Sequence, residues 1–364
     1  MTQTALNVDR IVTLNCGLGR DSIAMTGLLE EGELVVAERV WCCRDCGAEI
    51  PMVEELAPIC DCTDPDGWCV PAMIQLTTKI GRQDVDYVVF SDVGHEWEHT
   101  YKLIPTIREK CAAMGVRFFV LAKGNGRSYP AKPSTWAEVE AKAAAGGYHV
   151  SNKGQALPAL MDEMLSRSTV VNFRGQCTDK HKISPMRRLI EDVARIRFGV
   201  RDNRRWGHEV RKGQRRPHLA MVGIAADETP RINKAAQAAG VSYVDETYPL
   251  VTMGIAKTDE QPILERHGLG HVRKSGCYLC PFQPASWYWA LSVTDEVAYQ
   301  MVVSYEAQAL QNNPNMHATA AKKTIPEMVK TWRAANPKAT VGAVLAKTYE
   351  MCPAAARTAQ RVAA

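Results

Sequence analysis

The chain has 364 residues, 46% of them hydrophobic and 23% charged, with 44 basic against 40 acidic side chains. This composition excludes a disordered or fibrous chain and suits one large domain with additions, or two domains, around a substantial core. No apolar run reaches the roughly 18–20 residues of a membrane span, and Met1–Arg10 lacks a signal-peptide core, so a cytoplasmic protein without membrane contact is expected.

In chain order, residues 10–15 predict a buried strand, then a glycine turn and a helix over 21–31. A second strand is predicted at 86–91, a helix over about 96–114, and a third strand at 116–121. Further strands are predicted at 169–173, 219–224 and 241–244. Strands alternating with helices imply a parallel sheet covered on both faces. Residues 33–84 interrupt the rhythm with six cysteines and predict an insertion folded around metal. Residues 123–155, rich in Gly, Lys and Ala, suit a mobile flap. Beyond about 260 the pattern is mainly helical, and the last 50 residues suit short helices or a loosely packed tail.

The 12 cysteines, in a chain expected to stay inside the cell, point to metal ligands, reactive thiols or core fillers rather than disulfides. Cys111 and Cys352 stand alone and read as fillers. Cys42, Cys43, Cys46, Cys60, Cys62 and Cys69 cluster within 28 residues, and Cys43-Arg-Asp-Cys46-Gly47 has the form of a zinc knuckle. Four thiolates among Cys43, Cys46, Cys60, Cys62 and Cys69, with Cys42 as a further candidate, would close a tetrahedral zinc site and replace a core in a small insertion. Cys277 and Cys280 place two more thiols on one tight turn.

The segment Gly17-Leu18-Gly19-Arg20-Asp21-Ser22 joins the first strand to the first helix. Glycines admit a phosphate close to the backbone, and a helix start offers amide hydrogens and a positive dipole end. Asp21 and Ser22 are positioned to cap that helix. The segment resembles the Ser-Gly-Gly-x-Asp-Ser loop of the PP-loop ATP pyrophosphatases, with Gly17 in place of Ser and Leu18 in place of Gly. Three later segments, in the same order, resemble the phosphoadenosine phosphosulfate (PAPS) reductase-like branch of that family. They are Cys177-Thr-Asp-Lys-His-Lys182-Ile-Ser-Pro185, then Gly223-Ile-Ala-Ala-Asp227-Glu228-Thr-Pro-Arg231, then Tyr248-Pro-Leu250 with Ser275-Gly-Cys277-Tyr-Leu-Cys280. Asp92-Val-Gly94-His95-Glu96 is similar to the family's Asp-Thr-Gly-x-Glu segment.

The resemblance implies an α/β fold: a parallel-sheet, adenine nucleotide alpha-hydrolase-like domain over 1–260 that carries the 33–84 insertion. A Cys-x-x-Cys segment over 261–305 would close the site, and a helical or loosely ordered tail would follow over 306–364. It implies ATP or PAPS on Gly17, Gly19, Arg20, Asp21 and Ser22, with Asp92, Glu96, Asp227 and Glu228 lining the nucleotide site and Mg2+ offsetting phosphate charge. Asp21, Lys182 and Arg231 become catalytic candidates, and Arg188 a further phosphate ligand. Cys177, Cys277 and Cys280 would hold a 4Fe-4S cluster with one open iron, or a zinc with His267 or His271 as fourth ligand. The implied activity is ATP-dependent activation and sulfur transfer, or a related modification, on a nucleic-acid base or nucleotide, with a sulfur-donor protein as a partner. Two alternatives stand beside it. One is a sulfonucleotide reductase, for which Cys352 lacks the expected Glu-Cys-Gly context. The other is a non-catalytic nucleic-acid-binding accessory protein. The run Arg195–Arg216, nine basic residues against two acidic, suits tRNA or DNA backbone in either setting. His95-Glu96-Trp97-Glu98-His99 fits the metallopeptidase pattern His-Glu-x-x-His, but its place straight after a strand argues against that chemistry.

Overall fold

The computed structural model describes residues 10–43, 71–123, 132–151, 155–166, 178–199, 218–232, 244–278, 280, 283–314 and 323–345. Cys46, Cys60, Cys62, Cys69, Cys177 and Cys352, the expected strand at 169–173 and residues 200–216 of the basic run lie outside the described residues, as do the side chains of Cys42, Cys43 and Arg231.

Five strands form one parallel sheet: β1 (Ile11–Asn15), β4 (Tyr87–Ser91), β5 (Arg117–Leu121), β6 (His218–Val222) and β7 (Val244–Thr247), in the order β5-β4-β1-β6-β7. The protein is therefore a mixed α/β fold on an all-parallel sheet. β7 starts at Val244, where the expected strand ended; residues 241–243 lie outside the described residues.

The strands read as unbroken apolar runs because both faces are buried, and alternate residues serve different layers. Val12, Leu14, Val88 and Phe90 face a core shared with α1 (Arg20–Glu31) and α2 (Glu98–Met114). Ile11, Tyr87, Val89, Phe119 and Leu121 face the opposite core, with α3 (Trp136–Ala144) and α5 (Ser184–Phe198). Helix α4 (Leu160–Ser166) lies between these two in sequence. Gly32 at φ 70° and Gly115 at φ 74° end α1 and α2 in the left-handed conformation that glycine adopts without a Cβ penalty. Cys111 is a buried member of the first core, a filler as expected.

Residues 132–151, the larger described part of the stretch 123–155, pack onto the sheet rather than forming a flap. Thr135 and Glu138 form a capping box that starts α3, and Val139, Ala143, Tyr148 and His149 are buried against the sheet. The small residues of 137–147 allow this close packing. Between α1 and β4, β2 (Leu34–Cys43) and β3 (Pro71–Ile80) pair antiparallel over ten positions, outside the main sheet. Cys43 pairs with Pro71 at the end of this stem.

After β7 come α6 (Pro249–Thr252), α7 (Glu260–Arg266), α8 (Ala285–Thr294), α9 (Glu296–Asn312), α10 (Ile325–Ala335) and α11 (Val341–Leu345). Helices α8 to α11 form a third core with Val93, Trp97, Leu160 and Met161, the residues just beyond the C-terminal end of β4 and on α4. Trp97 anchors it, edge-on to Trp287 at 5.3 Å between centroids. The described parts of the tail, up to Leu345, are thus packed, beside the edge of the sheet where ligands of parallel sheets bind. Among the described residues no helix is long and apolar enough to cross a membrane.

Candidate functional site

The chain leaves β1 toward β4 and β5, then returns on the other side through β6 and β7. The crevice between β1 and β6 is the topological switch point, the usual ligand position in such sheets. Asn15 and Val222 are the last paired residues there, so the loop 16–19 and Gly223 emerge together. A Cβ on Gly223 would lie 2.9 Å from the Ser22 amide nitrogen, a close approach that only glycine permits.

Leu18, fully buried, has φ 52°, in the left-handed region that costs an ordinary residue about 1–2 kcal/mol. The side chain sits in the α1–α2 core and holds the loop in this shape. Gly19 occupies the N-cap of α1 with no side-chain cap, contrary to the expected capping by Asp21 and Ser22. Ser22 instead donates to the Gly19 carbonyl at 3.1 Å, and Asp21 turns to Lys257. Among the described residues no acceptor takes the amide hydrogens of Arg20, Asp21 or Ser22.

Lys257 Nζ sits 3.0 Å from Asp21 Oδ1 and 3.1 Å from Glu228 Oε2, and its amide donates to Asp227 at 3.2 Å. Burial alone would favour neutral lysine, but Asp21 and Glu228 outweigh it and hold Lys257 above its usual range. Arg20 leaves the loop: its Nε lies 3.5 Å from Glu260 Oε2 and its Nη1 donates to the Val272 carbonyl. Burial first, then the Asp21 charge, pushes the Glu260 carboxyl above the usual carboxylate range. Arg20, His271 and Arg273 line a cleft of about 360 Å3 beside this pair.

The late cysteine turn folds back onto the glycine loop. A Cβ on Gly19 would meet Ser275 Oγ at 2.8 Å. Residues 95–97 pair antiparallel with 276–278: Tyr278 N donates to the His95 carbonyl, Trp97 N donates to the Gly276 carbonyl, and Glu96 bridges Cys277. Glu96 is buried, its Oε1 lies 3.5 Å from Lys182 Nζ, and its Oε2 has no hydrogen-bond partner among the described residues. Burial raises the Glu96 carboxyl against the pull of Lys182, with the Asp92 charge adding to the rise. Lys182 is raised chiefly by the Glu96 carboxylate, with negative charge on the Cys277 and Cys280 sulfurs adding to the effect. Asp92 closes its own turn, accepting from the Gly94 amide at 2.7 Å and the Tyr101 hydroxyl at 2.9 Å.

Comparison of the chain with protein-family models, with curated proteins and with solved structures finds no match. The site is therefore read from its own geometry.

Gly17, Gly19, Asp21, Ser22, Asp227 and Glu228 converge at the switch point. Glu96, Lys182, Cys277 and Cys280 converge beside it, with Asp92 at the root of the same loop. Arg188 lies on α5, its charge reaching His149. The backbone of Arg231 ends the short turn Ala226–Arg231 after β6. His267 is engaged elsewhere, between Glu30 at 2.9 Å and Glu31 at 3.1 Å near the C-terminal end of α1. That removes it as a partner for Cys277 and Cys280.

Among the described residues no group of three or more His, Cys, Asp or Glu side chains is placed to hold a metal. Cys277 and Cys280 are half-buried thiols outside any disulfide. The His-Glu-x-x-His pattern is not a metal helix. Glu96 lies in the bridge to Cys277, α2 begins only at Glu98, and His99 Nε2 lies 3.0 Å from the Lys274 carbonyl oxygen. In the basic run, Arg195 pairs with Asp192 at 2.7 Å and Arg197 with Asp86, so the first two arginines serve the fold.

Sequence reasoning missed Lys257 and Glu260, which carry no motif. It also missed Ser275 as a contact of the glycine loop, and His181, although that residue stands inside the Cys177–Pro185 segment.

Proposed function

We propose that the chain is a PP-loop, PAPS reductase-like enzyme that binds an adenine nucleotide at Gly17–Ser22 and activates a nucleic-acid base or nucleotide for sulfur transfer or a related modification. The observation that carries this reading is the seating of the Ser275–Cys277 strip against Gly19, with Lys182, Glu96, Cys277 and Cys280 beside the glycine loop. The left-handed Leu18 adds to it. The backbone keeps a glycine-like conformation where the resembled loop has glycine, and such strain persists where the surroundings enforce it.

In this reading the amides of Arg20, Asp21 and Ser22 and the dipole of α1 receive phosphate oxygens. Lys257 offsets part of the charge of Asp21 and Glu228, which lessens the repulsion between the loop's carboxylates and the nucleotide. Mg2+ offsets the remaining phosphate charge. Lys182 supplies a fixed cation between Glu96 and the thiols.

Cys277 and Cys280, with Cys177, would hold a 4Fe-4S cluster, and two thiols with an ammonium beside them suit a thiolate-bound centre. When bound, such a cluster supplies the sulfur. The stem of β2 and β3 ends at Cys43 and Pro71, and a structural zinc on cysteines of 42–69 is proposed beyond it.

The test is product analysis. Protein purified without oxygen, given ATP, Mg2+ and RNA or DNA, is expected to yield AMP and pyrophosphate and to carry iron and sulfide. PAPS should compete weakly. Conversion of PAPS to sulfite would favour the reductase reading. Nucleic-acid binding without nucleotide binding would favour the accessory reading.

A further inference from the structure

At the β4–β5 side of the same sheet edge lies a cluster that the reading above leaves unused. Lys123 follows β5 by two residues. Its Nζ lies 2.6 Å from His181 Nδ1 and 3.1 Å from the Pro158 carbonyl oxygen. His181 is buried, and its Nε2 lies 2.8 Å from Glu163 Oε2. An imidazole with its proton on Nε2 donates to Glu163 and leaves Nδ1 to accept from the lysine. Glu163 also takes Lys180, and Ser91 Oγ donates to the His181 carbonyl at 2.9 Å. Lys180 and His181 stand on a π-turn, Asp179–Ile183, a form found frequently at functional sites.

A neutral lysine amine has two hydrogens and one lone pair. Pro158 and His181 fix the two hydrogens, so the lone pair has a set direction. Burial lowers Lys123 to about 8, and Lys180 works the same way against Asp92 and Glu163. Among the described residues, the titratable and charged groups around Lys123 are Asp92 at the end of β4, His95 in the loop beyond it, His149 after α3, Glu163 on α4, and Lys180 and His181 on the π-turn.

We propose that Lys123 is the general base of the activation step, with His181 and Glu163 as positioning residues that aim its lone pair. The inference rests on the function proposed above. The acceptor carbonyl oxygen attacks the α-phosphorus of ATP, and an oxygen–phosphorus bond forms. The bond from the α-phosphorus to its bridging oxygen breaks, and its electron pair leaves on pyrophosphate. The proton on the acceptor's ring nitrogen passes to Lys123 Nζ, and Asp92 and Glu163 offset the new ammonium charge.

Two measurements on the intact protein test this. Amine acetylation followed against pH by peptide mass spectrometry should give Lys123 a midpoint near 8. Glu163→Gln should move it lower and Lys180→Met higher. Pyrophosphate release should rise with pH through the same midpoint, shift to lower pH in Glu163→Gln, and fall about 100-fold in Lys123→Met. Lys123→Arg keeps the charge and should lose the activity as well. A Lys123 that titrates with ordinary lysines, or an unchanged pH profile in Lys123→Met, overturns the inference alone. No pyrophosphate release in the wild type overturns it together with the proposed function.

Discussion

Around the glycine loop, Lys257 lies about 3 Å from two carboxylates, and Arg20 reaches a third, all of them largely buried. A short distance along the same sheet edge, Glu96 is just as buried, but its cation Lys182, 3.5 Å away, has 40% of its side chain exposed, against 10% for Lys257 and 8% for Arg20. Charges shut in together belong to the scaffold that shapes the loop. A cation that keeps its access to solvent beside thiols is available to a ligand, and perturbed ionisable groups gather at such places. The two regions should therefore respond differently to the same kind of substitution.

The largest effect expected is on the fold as a whole, from acid. His149 and His218 are lowered to about 3 and His181 to about 4, each chiefly by burial. An unfolded histidine titrates near 6.5, so below that pH the unfolded chain binds more protons than the folded one. The histidines' contribution to stability should be intact above pH 6.5 and fall as pH drops toward 4, by about 1.4 kcal/mol per pH unit for each histidine still neutral, partly offset by the raised carboxyls of Glu96 and Glu260. Urea melts at pH 7, 6 and 5 measure it, and a flat profile would contradict the buried neutral assignment.

Next in size is Lys257→Met, which leaves Asp21 and Glu228 facing each other without a cation. A loss of about 3–5 kcal/mol is expected in denaturant unfolding. A smaller loss, about 1–3 kcal/mol, should follow Gly223→Ala, because the new Cβ meets backbone atoms of Asp21 and Ser22 that cannot swing aside. The smallest stability effect belongs to Lys182→Met. Glu96 can take up a proton in place of its partner, and a pair whose cation is 40% exposed and 3.5 Å away contributes about 1 kcal/mol or less. Its activity should nonetheless collapse. Equal stability losses in Lys257→Met and Lys182→Met would erase the distinction between the two regions.

Much of the sheet was legible because strands buried on both faces show as short apolar runs, as at 10–15 and 86–91. The helical layer after 260 showed in the same way. The fit between layers was not legible. Residues 123–155 look like a flap in composition, yet Val139 and Tyr148 lie in the core, and small residues are what lets them pack there. Asp21 carried a helix-cap pattern, but a lysine 236 residues away competes for it more strongly than the local amides do. His181 has no local signature, because its partners Lys123 and Glu163 are brought to it only by the fold.

The most direct test of the central claim is the affinity for ATP of Gly17→Val, measured by titration calorimetry. Gly17 is exposed, and a Cβ there would meet nothing closer than Ser275 Oγ at 3.8 Å, so the fold should tolerate the change while the side chain fills the phosphate cradle. The expected result is wild-type unfolding with ATP affinity reduced at least tenfold, about 1.4 kcal/mol or more. ATP affinity unchanged in a folded Gly17→Val protein would place the nucleotide elsewhere and contradict the account.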